Sequence, residues 1–322
     1  MVELVTFGET PLHLSPPGKE RIETAREMTV YADGIESNAA VAASQLGTSS
    51  TWVSKLPAAP LSRRIVGELE RHGIETSITW ASHTERRQGL VFRETGHPPR
   101  ESQQWHDREN TAVATAKPGD LPMDAVQSAT AVYTGLRTAT LSETTESTVT
   151  ELLATARAAD VTTVFDVDHD PEMAQMQGFG DSVDSLLAHV DVLMGNESHI
   201  RAVFDQSGTP RELVNTIAAD YDLDTVVVTR GKHGAVALED TPGSDVLYER
   251  ETSDSTAVDE SGHHGAFAGG FLSRLSDGAA IPEALSYGVA AATLVRTVPG
   301  PFLTASRSEI ERVVDDVTEA TQ

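Results

Sequence analysis

Cysteine is absent from this 322-residue chain, which excludes disulfides and thiolate metal sites. Lysine is nearly absent: Lys19, Lys55, Lys117 and Lys232 are the only four, and the other basic residues are arginines. Basic residues number 24 against 49 acidic ones, a formal net charge of −25. Nucleic-acid binding is therefore not expected, because the chain repels phosphate and no arginine cluster offsets that repulsion. Long apolar runs are missing too, since stretches such as 288–295 fall far short of a membrane span. The opening MVELVTFGET has no basic segment leading into an apolar one. It does not read as a signal peptide, and a cytoplasmic location is expected.

What is present is acidic and periodic. The carboxylates are scattered through apolar segments rather than gathered in a tail, the pattern of a folded protein with an acidic surface. Such a charge resists aggregation once salt screens self-repulsion, over a Debye length of ~3 Å near 1 M. The composition points to a high-salt cytoplasm and to a fold that depends on molar salt. An acidic face for a basic partner is the less favoured account.

Short apolar runs alternate with longer helical patterns, as a mostly parallel α/β sheet requires. Strands are expected at Glu3–Phe7, Thr51–Lys55, Thr130–Thr134, Thr162–Asp166, Asp191–Met194 and Thr225–Thr229. Helices are expected over Ser37–Leu46, Ser62–His72, Glu143–Ala159, Ser182–His189, Arg211–Ala219, Ala266–Leu275, Pro282–Val295 and Ser308–Ala320. Segments 12–32 and 75–106 break the rhythm, with β-like alternation (Ile78, Trp80; Leu90, Phe92) and no helix. They predict a small antiparallel sheet beside the main one. No linker divides the chain, so residues 1–322 read as one domain, with lid segments at roughly 10–34 and 75–112.

The stretch Ala257–Leu272, AVDESGHHGAFAGGFL, carries the chemistry. It resembles the C-terminal signature of the ribokinase/PfkB family of carbohydrate kinases, D-x-x-G-A-G-D-x-F-x-x-G, with Asp259, Gly262, Phe267 and Gly270 on the pattern. The resemblance implies an anion hole at Gly262, His263, His264 and Gly265, where a glycine-rich turn opening a helix leaves backbone N–H groups free for a transferring phosphoryl group. It also implies a catalytic Asp that takes the proton of the attacking hydroxyl. That position is Gly265, which cannot accept a proton. His264, one residue away, is a candidate substitute base. Replacing Gly265 by Asp is expected to return little activity with a keto acid and more with a neutral sugar.

Further matches run along nearly the whole length. Asp33-Gly34-Ile35-Glu36-Ser37-Asn38 followed by Leu46-Gly47 resembles the N-terminal G-G-A-x-x-N signature, most like that of 2-keto-3-deoxygluconate kinases. Arg87–Phe92, Pro99–Ser102 and His106-Asp107-Arg108 resemble lid elements of the same enzymes. The resemblance implies substrate contacts at Gly34, Asn38, His106 and Arg108, and nucleotide contacts at Asn196, Thr229 and Gly231. On composition alone, Gly34 and Asn38 are a turn glycine and a helix-start polar residue, and Thr229–Gly234 is an ordinary hairpin turn. Departures accompany the matches. N-x-x-E reads Asn196-Glu197-Ser198-His199, and D-x-N-x-R reads Asp166-Val167-Asp168-His169-Asp170. Asp170 stands where an arginine would meet a substrate carboxylate, so a keto acid is expected to be repelled.

The resemblance thus implies a ribokinase-like three-layer α/β fold with a β lid. It also implies ATP and Mg²⁺ as cofactors, a sugar or sugar acid as substrate, and homodimerisation through the lid. The expected function is ATP-dependent phosphoryl transfer, impaired by the loss at Gly265. The alternative is a non-catalytic pseudokinase that binds sugar or nucleotide, or regulates. Asp166, Asp168, His169, Asp170, His199, His263 and His264 also form a constellation whose mixed imidazole and carboxylate groups would suit a transition metal. The plainer account of it is solvated loop acids and helix caps, so no metal ligand is assigned.

Overall fold

The computed structural model describes residues 2–168, 179–252 and 257–320. The chain begins with β1 (Leu4–Phe7), β2 (Leu12–Ser15), β3 (Thr29–Ala32), α1 (Ile35–Gln45), β4 (Ser50–Pro57), α2 (Pro60–Glu70), β5 (Glu75–Ala81), β6 (Leu90–Glu94) and β7 (Gln103–Asp107). It continues through α3 (Met123–Ser128), β8 (Ala131–Gly135), α4 (Leu136–Ala139), α5 (Glu143–Arg157), β9 (Thr162–Val167), α6 (Phe179–Leu187), β10 (Val192–Asn196), α7 (Glu197–Phe204) and α8 (Pro210–Asp220). The last elements are β11 (Thr225–Thr229), β12 (Ala235–Thr241), β13 (Ser244–Arg250), α9 (His263–Ser276), α10 (Ile281–Val295) and α11 (Arg307–Ala320).

Nine strands form one sheet in the order β13-β12-β11-β10-β9-β8-β1-β4-β5, parallel from β5 to β11 and closed by two antiparallel strands. Strand alternation divides its apolar side chains between two cores. Leu4, Tyr133, Val164, Met194 and Val227 pack with Phe267 and Phe271 of α9 and Leu285 and Val289 of α10. Val5, Phe7, Val132, Phe165, Leu193 and Val228 face the opposite way, onto Leu152 and Leu153 of α5, Leu186 of α6 and Leu213 of α8. Helices therefore cover both faces, giving three layers.

The helix pair α1 and α9 holds the key local geometry. Both are built from small residues, Ala39, Ala42 and Ala43 against Gly265 and Gly269. A Cβ at Gly269 would lie 2.3 Å from the Ala39 carbonyl, so the two backbones approach closer than any side chain there would allow.

A second sheet, in the order β3-β2-β6-β7, is the lid. It is mixed rather than wholly antiparallel, because β2 and β6 run parallel. The expected lid residues Ile78 and Trp80 are not in it. Their strand, β5, pairs in register with β4 along the edge of the large sheet, from Thr51↔Glu75 to Pro57↔Ala81. Alternation shows that a strand has one buried face but not which sheet it joins. Among the described residues no helix is long and apolar enough to cross a membrane.

Candidate functional site

The carboxyl ends of β1, β8 and β9, the start of α1, the lid and the start of α9 enclose a cavity of about 290 Å³. Ligands in open α/β sheets bind at this end of the strands. The lid contributes His13, Val91, Arg93, Gln104 and His106, which are alternate residues of their strands and so share its inner face. Arg93 bonds Ser261 and lies 3.7 Å from Asp259, which ties the lid to the loop before α9. Arg108, just past β7, is ion-paired with Glu9.

Asn38 donates from Nδ2 to Asp33 at 2.7 Å, while its buried Oδ1 has no hydrogen-bond partner. Asp33 in turn lies 3.2 Å from His13 Nδ1. Burial lowers the His13 pKa, helped by Arg93, Arg137 and Arg108 and opposed by Asp33, so the ring is neutral near pH 7. An orphaned amide oxygen facing a cavity is an acceptor prepared for a ligand hydroxyl.

Asp259 orders the turn into α9. Its Oδ1 accepts from Ser261 N at 2.9 Å and its Oδ2 from Gly300 N at 3.1 Å. Gly262 then adopts φ 70°, and a Cβ there would meet the Pro301 carbonyl at 1.9 Å, so only glycine fits. The N–H groups of the following first turn have no intrahelical acceptor.

His264 places Nε2 2.9 and 2.8 Å from the two oxygens of Asp166, which also accepts from the Tyr133 hydroxyl at 2.7 Å. Burial lowers the His264 pKa, but the Asp166 charge and hydrogen bond outweigh it and the net shift is upward. The Asp166 contact thus favours the charged form of the ring, which makes it a weaker proton acceptor.

Behind it, Glu36 of α1 accepts from Thr138 Oγ1 at 2.6 Å. Its carboxyl carbon sits 2.1 Å from where a Cβ of Gly8 would be, so Gly8 makes the space it fills. Burial raises the Glu36 pKa to about 7, and the charges of Asp166 and Asp168 add to that rise. Asp168 is paired with Arg137 at 2.5 Å and His199 at 3.2 Å. Burial opposes its ionisation, but Arg137 and His199 together hold its carboxyl far below the usual range.

Residues 1–306 match the model of the pfkB family carbohydrate kinases. The chain belongs to that family. It is 45% identical over 312 residues to the 2-dehydro-3-deoxygalactonokinase of Haloferax volcanii, covering 97% of this chain and 96% of that protein. It is 27% identical to the 5-dehydro-2-deoxygluconokinase of Geobacillus kaustophilus, over 85% and 81% of the two chains. Among solved structures it resembles the 2-dehydro-3-deoxygluconokinase of Thermotoga maritima, with TM-score 0.85, 26% identity and 98% of each chain covered. The fold is shared with an ATP-bound fructokinase from Xylella fastidiosa, with TM-score 0.85, 17% identity and coverage of 99% and 100%.

Set against the pfkB pattern, the structure brings Gly34, Asn38, His106, Arg108 and Gly262–Gly265 to the one cavity. Three further observations amend the reading from sequence. A Cβ on Gly34 would meet the Glu9 carbonyl at 2.3 Å, so packing alone already requires glycine at this cavity-lining position. Asn196 lines neither this cavity nor the smaller one beside it, and its Oδ1 caps α7 by accepting from Ser198 N at 2.9 Å. Gly265 offers no room for the family's Asp, because a Cβ there would lie 2.5 Å from the Asn38 Cβ and 2.9 Å from the Ile35 carbonyl.

Thr229 and Gly231 line the smaller space, of about 10 Å³, across the start of α9. His169 and Asp170 lie outside the described residues. Among the described residues no cluster of three or more imidazole and carboxylate groups is arranged to hold a metal. Sequence reading missed Glu36, Arg93 and Arg137, all of which line the cavity. Glu36 was in view as a variable position of the N-terminal signature, and only its burial shows what it does.

Proposed function

We propose that the protein transfers a phosphoryl group from ATP to a hydroxyl of a 2-keto-3-deoxy sugar acid, and does so slowly. The single observation that carries this reading is the cavity itself. Arg93, Arg108 and Arg137, paired with Asp259, Glu9 and Asp168, bring three guanidinium groups to its wall, which also holds the α9 start and the unpaired Oδ1 of Asn38. Guanidinium is the side chain suited to a carboxylate. Arg137, in α4 just after β8, holds one of these guanidinium groups beside its partner Asp168. The name of the 45% identical relative supports the same substrate class.

In the transfer the substrate oxygen bonds to the γ-phosphorus, the bond to the bridging oxygen breaks and ADP leaves. With no side-chain acceptor at Gly265 and His264 tied to Asp166, the hydroxyl proton would pass to water or to an oxygen of the transferred phosphoryl group. Magnesium would ride mainly on the nucleotide phosphates and water, as is usual for this ion, and would neutralise their charge. A general base contributes about 10²–10⁴-fold to such a step, which sets the expected shortfall.

The second reading, a non-catalytic sugar or nucleotide binder, is favoured by the closure of position 265. An assay of ADP release in molar KCl, run beside calorimetry with the same sugar acids, separates the two. Substrate-dependent ADP release supports the transferase, binding without release supports the binder, and neither refutes both.

Association and setting follow the same reading. The outer face of the lid carries Phe92 opposite Trp105, and Trp105 is 46% exposed. We infer a homodimer through this face, in a cytoplasm salty enough to screen −25 charges.

A further inference from the structure

Arg296 caps the C-terminus of α10, and its side chain is only 9% exposed. It lines the 10 Å³ space with Thr229, Gly231, Thr252, His263 and Phe267. Its backbone carbonyl is used, accepting from Val258 and Asp259. Its guanidinium is not: Nε is buried without a partner, and no described carboxylate lies within ion-pair distance. The neighbouring Arg230 differs, being held by Glu249 at 2.8 Å. Burial depresses the Arg296 pKa, and only the charge of Glu260 opposes it through space. His263 cannot help, since burial and the Arg296 charge push its pKa down to about 4.

A buried cation without a counter-charge is costly, and such groups are ordinarily paired. Here the missing partner has an evident place. Arg296 Nη2 lies 3.8 Å from where a Cβ on Gly231 would stand, and the space is bordered by the start of α9, a 14-residue helix whose first amides are free. Room for about one water-sized group suits a single phosphate oxygen and excludes a base or sugar. His263 and His264 border both cavities, so an anion held here lies next to the sugar-side cavity.

We propose that Arg296 binds the phosphate chain of the nucleotide, gripping it between the Thr229–Gly231 turn and the first turn of α9. The inference rests on the kinase-family reading for the identity of the nucleotide, but not on any turnover.

The test is binding to the full-length protein in fixed salt, by calorimetry and thermal melts, with ADP, inorganic tripolyphosphate and adenosine as probes. Wild type should bind ADP and tripolyphosphate. Arg296→Met should weaken both by about tenfold to a hundredfold, the range of a charged hydrogen bond, and leave adenosine unchanged. Without ligand, Arg296→Met should melt no lower than wild type, because an uncompensated cation has gone. Arg296→Lys, which keeps the charge without the fork, should fall between the two and decides the matter if the Met variant misfolds.

Unchanged ADP and tripolyphosphate affinity in a folded variant would overturn the proposal. So would an equal loss for adenosine, which would make the residue a packing element, or a wild type that binds neither phosphate probe. Phosphate binding through Arg296 with no ADP release from any sugar acid would uphold this inference and refute the transferase reading alone.

Discussion

A Cβ added to Gly265 would stand 2.5 Å from the Cβ of Asn38, closer than two such atoms can sit. The position where the family keeps its catalytic base is therefore part of a helix–helix contact in this chain. The residue that would crowd it is the same Asn38 whose Oδ1 faces the sugar cavity.

Restoring the base by one substitution should fail. Gly265→Ala is expected to cost about 1–3 kcal/mol, the usual range for overpacking, and Gly265→Asp at least as much. Gly265→Asp should not raise ADP release, and it should raise KM by displacing Asn38. Denaturant melts and steady-state kinetics on both variants check this, and an active, stable Gly265→Asp enzyme would contradict the packing argument.

Glu36 should make stability fall as pH rises. Its pKa is raised from 4.5 in the unfolded chain to about 7 in the fold, so between those values the folded state holds more protons than the unfolded one. Stability from this group is full below about pH 4.5 and declines through the window by up to about 1.4 kcal/mol per pH unit. Glu36→Gln keeps the hydrogen bond from Thr138 and removes the ionisation. It should match wild type near pH 5 and exceed it near pH 8 in chemical denaturation, and parallel curves at both pH values would rule the assignment out.

The acidic surface should make the fold salt-dependent. With −25 formal charge, the melting temperature is expected to drop as KCl is lowered from 2 M to 0.1 M, where the screening length grows from a few ångströms to ~10 Å. A melting temperature independent of KCl across that range would disprove it.

Association through the lid should be sensitive to charge on its outer face. Trp105→Glu is expected to convert a dimer to a monomer in light scattering at high salt, with little change in the far-ultraviolet spectrum. A monomeric wild type would remove the lid interface from the account.

Much of this was legible in the chain. The alternating apolar runs marked β1, β4, β8, β9, β10 and β11, and the spacing from Asp259 to Gly270 located α9 and its turn. What escaped depended on three-dimensional proximity. The pairing partner of β5 is a register choice that half-buried alternation leaves open. Gly265 reads as a lost acid, yet only the approach of α1 shows that the position is also closed. Arg137 and Arg296 sit outside every motif, one after β8 and one at the end of α10, and neither has a local signal for facing a cavity.

The central claim is a sugar-acid phosphotransferase running without a side-chain base, and the most direct test is steady-state ADP release by the unmodified protein in molar KCl with 2-dehydro-3-deoxygalactonate. The account predicts release that depends on the sugar acid, at no more than about a hundredth of the turnover of a family member that keeps the Asp, given the usual contribution of a general base. Turnover equal to that of such a kinase would contradict it, and so would the absence of any sugar-acid-dependent release.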